Sequence, residues 1–196
     1  MNQLLDLAYD MVTKPSRALS VIVNGEKLKE AILLWLFVVF VISLSIFQQG
    51  PGLLLQFLAI LFFMGTALLL HSAVTDYVSG LLGGMGTARG ITAGFMAASL
   101  PLSLSVILTF FEGFGITILS GIGGFVLFLW SFYLDVIAIS ENYNFNKGKA
   151  FFIALAPYVL TVIFLILLAA LGVASAVAGI SGIDDLQGIE SMIGKM

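Results

Sequence analysis

Cysteine is absent from the 196 residues, which excludes disulfide frameworks, thiolate metal sites and cysteine nucleophiles. Charge is nearly as scarce. Asp, Glu, Lys and Arg make up 10% of the chain, against roughly 25% in a soluble domain of ordinary composition. So few charges cannot clothe a water-facing surface, and a soluble globular enzyme is excluded. Eight Lys and Arg against eleven Asp and Glu leave a net charge of -3, with no basic face for a nucleic acid, which is therefore not a partner. There is one histidine. One histidine and no H-E-x-x-H run cannot form the usual catalytic zinc site, nor does the chain signal a Ser-His-Asp arrangement. No cofactor is implied, and the residues do not name a metal.

What is abundant is apolar: 60% of the residues are hydrophobic and the mean hydropathy is +1.14. About 20 apolar residues in helical conformation cross a bilayer core. Five segments qualify, at about 29–47, 53–70, 91–111, 116–140 and 150–178. The second can continue as a helix through HSAVTDYVSG. The expected fold class is all-α: a polytopic membrane protein of five transmembrane helices with the lipid bilayer as its medium. Its parts are a cytoplasmic amphipathic segment (1–28), the five-helix domain (29–178) and a short extracytoplasmic tail (179–196).

The start lacks the basic n-region, apolar h-region and small-residue cleavage site of a signal peptide. At 100° per residue it reads as an amphipathic helix instead, with Met1, Leu4, Leu5, Leu7, Ala8, Met11 and Val12 on one face. Asn2, Gln3, Asp6, Asp10 and Thr13 occupy the other. Such a helix lies in the membrane interface or binds a partner. Pro15 can open a second short helix ending at Asn24-Gly25. The tail ISGIDDLQGIESMIGKM reads as a weak surface helix or a frayed end.

Orientation follows from Lys and Arg. Lys14, Arg17, Lys27, Lys29, Arg89, Lys147 and Lys149 fall on one side of the expected spans, and only Lys195 on the other. By the positive-inside rule the N-terminus is cytoplasmic and the C-terminus extracytoplasmic, in the cell membrane.

Ionisable groups within a bilayer are costly and so invite a functional reading. His71 ends the second span with Asp76 just beyond it, and Asp135 lies in the fourth. At roughly 1.5 Å per residue, His71 stands about 27 Å and Asp135 about 28 Å from the outer ends of their spans. That common depth predicts one cluster of His71, Asp76 and Asp135, a proton or cation station or a structural knot. The bland alternative has each group snorkel separately or bond Ser72, Thr75 or Ser131. In GLLGGMGTARG the glycines can cradle phosphate. With no Walker lysine and no preceding strand, a tight turn at Gly83, Gly84 and Gly86 is the preferred reading. Pro101 and Pro157 mark helix kinks. The pairs Gly94/Ala98 and Ser120/Gly124 read as helix-packing faces.

The order of these features resembles the Yip1 family of five-span membrane proteins, in its prokaryotic branch. The resemblance runs over about 15–170: a Pro-bearing segment, His71 ending span two, the Gly83-Gly84-x-Gly86 turn, Pro101, Trp130 in span four, then Lys149 and Pro157. It implies a five-span topology. Eukaryotic members act in ER–Golgi traffic and associate with Rab GTPases, carrying a long cytosolic region with an Asp-Leu-Tyr-Gly-type motif. Only about thirty residues precede the first span here, without that motif, which argues against a Rab-type GTPase partner. The family turn is often basic after its paired glycines, where Met85 stands in this chain. Two functions compete. One is a non-enzymatic membrane scaffold that packs with itself or other membrane proteins. The other is a small transporter or channel for a proton, metal ion or small solute, working through the His/Asp cluster.

Overall fold

A computed structural model describes residues 2–25, 27–45 and 52–193. Eight α-helices follow in order: α1 Asn2–Thr13, α2 Pro15–Asn24, α3 Leu28–Ser45, α4 Leu53–Leu81, α5 Ala88–Ala98, α6 Ser105–Gly113, α7 Thr117–Tyr143 and α8 Lys147–Ile193, with a 3-10 turn at Leu100–Leu104 between α5 and α6. Among the described residues, five stretches are long and apolar enough to cross a membrane: Leu28–Ser45, Leu53–Leu81, Ala88–Gly113, Thr117–Tyr143 and Lys147–Gly172. The all-α, five-span expectation therefore holds. Most of the QQGPG segment that links the first two spans lies outside the described residues.

Two compact units divide the chain, Met1–Ala156 and Pro157–Met196. In the first, α5 is the innermost helix, burying Ile91 and every residue from Ala93 to Ala98. Small side chains let its neighbours approach closely. A Cβ on Gly94 would sit 2.9 Å from both Ala138 Cβ of α7 and Val23 Cγ1 of α2. The core around α5 is completed by Leu19 and Ile22 from α2, Trp35 and Val39 from α3, and Leu134, Ile137 and Ile139 from α7. Of α1, Leu7 and Met11 are buried, while Leu5, Tyr9 and Val12 are exposed.

The second span shows the medium for which the chain is built. The 29 residues of α4 bury only Ser72, Thr75 and Ser79, while Leu54, Phe62, Phe63 and Leu69 stand exposed. A helix in water does the reverse. In hydrocarbon, leucine gains nothing by turning inward, and small polar residues become the natural helix contacts.

Pro101 sits in the 3-10 turn that interrupts the third span, as expected of a residue without a backbone N–H. Neighbouring hydroxyls bond carbonyls around the break: Ser99 Oγ donates to Met96 O at 2.7 Å and Ser103 Oγ to Leu100 O at 2.8 Å. Such re-satisfaction is what a bilayer demands. One packing expectation is corrected on α7. A Cβ on Gly124 would meet nothing within 4 Å, whereas Leu108 of α6 closes over Gly123, and Ser120 instead donates its hydroxyl to Glu112 Oε1 at 2.6 Å.

The second unit is the remainder of α8. Pro157 lies inside that helix, which runs unbroken to Ile193, and the Thr161 hydroxyl donates to Pro157 O at 2.8 Å.

Candidate functional site

Four helix ends meet where the chain turns from α4 into α5 and from α7 into α8. The first turn is made by glycine. Gly83 holds φ +79°, a conformation that costs other residues strain, and its N–H donates to Gly80 O at 3.0 Å. Gly84 and Gly86 are needed for a different reason, which is proximity. A Cβ on Gly84 would lie 2.8 Å from Phe145 Cζ and 2.9 Å from Tyr143 Cδ1, and one on Gly86 would strike the Asn142 backbone carbonyl and side chain.

Thr87 then caps α5, its Oγ1 accepting from Gly90 N at 2.9 Å. Helix starts leave such N–H groups without an intrahelical partner, and threonine is well suited to take one. The Thr87 carbonyl in turn accepts from Asn142 Nδ2 at 3.0 Å, so one amide spans α5 and α7. At the end of α7, Asn144 adopts the left-handed conformation (φ 55°, ψ 38°), which asparagine tolerates better than most residues. The reversal is locked by Ser140, whose hydroxyl donates to Phe145 O at 2.7 Å. Asn146 starts α8 by accepting from Lys149 N at 2.8 Å.

Two longer reaches bind this loop to α4. Tyr143 donates its hydroxyl to Asp76 Oδ1 at 2.6 Å, a short bond to an ionisable acceptor and among the stronger kinds. Lys149 Nζ donates to Leu82 O at 2.7 Å, placing a cation on the negative end of the α4 dipole. The same ammonium sits 3.9 Å above the Phe145 ring, and Phe145 stacks on Tyr143 with centroids 6.0 Å apart.

The residues singled out from the sequence are placed as follows. Asp76 accepts from Tyr143. His71 sets its ring edge-on against Phe95 of α5, with centroids 4.6 Å apart. Asp135 is half-buried on α7 between buried Leu134 and Val136. Among the described residues no three His, Asp or Glu side chains converge on a point that a metal ion could occupy. Beyond these ties lies a cavity of about 240 Å³, at whose wall Pro101 and Trp130 meet residues of α1.

A chain with five candidate spans, a glycine turn after the second and a proline break in the third matches the family model described as the Yip1 domain, over residues 9–180. The chain belongs to the Yip1 family. No curated protein and no solved structure matches it significantly. Within this Yip1 domain, sequence reasoning missed Asn142 and Tyr143, which lie in the stretch ENYNFNKGK. The available signal was the density of side-chain amides there, since asparagine favours turns and caps through bonds to the backbone.

Proposed function

We propose that this Yip1 protein is a non-enzymatic membrane scaffold, acting by lateral packing with copies of itself or with other membrane proteins. The observation that carries this reading is the use to which the polar groups are put. Asp76, Asn142 and Lys149 each spend a side-chain hydrogen bond on joining one helix end to another. Bonds of that kind fix a shape; a transport station needs its carboxylate available to a cargo. We place the domain in the cell membrane with the Lys- and Arg-rich ends of the spans in the cytoplasm. The bonds from Asn142 to Thr87 and from Lys149 to Leu82 support this, since they put both basic loops at one end of the first unit.

The test reconstitutes donor- and acceptor-labelled copies together in liposomes. Energy transfer that survives lipid dilution, without proton or cation flux under an imposed gradient, is the expected result. A gradient-driven flux abolished by His71→Ala or Asp135→Asn would establish the transporter in its place.

A further inference from the structure

The 240 Å³ cavity has a position and a lining that select its occupant. Its walls are Ala8 and Met11 of α1, Pro101 and Leu104 of the 3-10 turn, and Trp130 and Leu134 of α7. Pro101 and Trp130 stand near the midpoints of the spans Ala88–Gly113 and Thr117–Tyr143. The surrounding medium at that depth is hydrocarbon, roughly 15 Å from either edge of a core roughly 30 Å thick. The polar side-chain groups in the wall are the Ser103 hydroxyl and the Trp130 indole N–H, and the Ser103 hydroxyl is already bonded to Leu100 O at 2.8 Å. Water therefore finds few of the two to four polar partners it needs.

The cavity also has a mouth. Val12 and Leu104 line it and are 57% and 41% exposed, so its apolar wall continues onto the surface that lipid covers. The cavity lies against the 3-10 turn at which Pro101 interrupts the third span. An aliphatic cavity of about 150 Å³ already admits a benzene-sized guest; this one is larger and open at one side.

We propose that this cavity is an acyl-chain site: a membrane lipid inserts part of one hydrocarbon chain between α1, the Pro101 turn and α7. In this proposal α1 reaches into the membrane to the depth of Pro101 and Trp130, deeper than the interfacial position expected from its sequence, and its buried Met11 completes the wall of the site.

Trp130 and Trp35 are the two tryptophans of the chain, so Trp35→Phe leaves a reporter in the cavity wall. The full chain carrying that substitution is reconstituted in phosphatidylcholine vesicles whose acyl chains are brominated near their middle. Trp130 fluorescence should be quenched, and most of that quenching should be lost when Ala8→Phe fills the cavity. Ser103→Leu, which fills it from the 3-10 turn, should do the same and serves where the first variant does not fold. Quenching that is equal in folded filled and unfilled proteins overturns the site, because bulk lipid alone then reaches Trp130. Absence of quenching overturns it too. An emission shift that depends on protein density instead of bromination would assign the cavity to a second copy of the chain.

Discussion

Tyr143 and Asp76 are 67 residues apart in the chain and 2.6 Å apart in space, the phenol hydroxyl of α7 donating to the carboxylate of α4. Tyr143 is buried and also stacks on Phe145, so the bond is held in a fixed geometry. Tyr143→Phe keeps the stacking and removes only the donor. It should lower stability by about 1–3 kcal/mol, read as a fall in the thermal midpoint in detergent. Asp76→Asn should add little in the Tyr143→Phe background, a non-additivity that a double-mutant cycle measures. Fully additive losses would show that the two side chains are not coupled.

The glycines of the turn should separate by what surrounds them. Gly86→Ala drives a methyl into Asn142 and should cost about 1–3 kcal/mol by overpacking. Gly80→Ala, where a Cβ meets nothing within 4 Å, should be neutral or should stabilise α4 by up to about 1 kcal/mol through helix propensity. Folded yield after detergent extraction ranks the pair, and the reverse order would contradict the packing of the turn on α7.

For Lys149 the prediction is a modest one, because the bond to Leu82 O is exposed. Lys149→Met retains the aliphatic stem but not the donor, and a loss of about 0.5–1.5 kcal/mol is expected. Lys149→Arg should recover part of it. Unfolding midpoints of the three proteins decide the matter; a Met variant as stable as the parent shows that the cap contributes nothing.

Orientation is checked by single cysteines in a chain that has none of its own. Gly113→Cys should react with a membrane-impermeant thiol reagent from outside intact cells. Thr87→Cys and Asn146→Cys should react only after the membrane is opened. Labelling of Thr87→Cys from outside reverses the proposed topology.

Much of the fold was legible residue by residue. Hydropathy over 20 or so positions is a local quantity, and it sets the number of spans because every backbone group in hydrocarbon must be bonded within its own helix. Pro101 breaks the third span for an equally local reason, its missing N–H. Gly83 adopts its positive φ because the tight turn after α4 asks for it. Only the tertiary structure decided which polar side chains meet. A common depth groups Asp76 with His71 and Asp135, but depth alone could not show that the Tyr143 hydroxyl, at the end of α7, donates to Asp76. Depth along a helix says nothing about rotation around it or about which helix stands next door. Those depend on how the small residues of α5 let α2 and α7 approach, and on an α7–α8 reversal set by Asn144. The cavity beside Trp130 belongs to the same class of fact. It exists because three separate segments fail to fill the space between them, and no single segment carries that information.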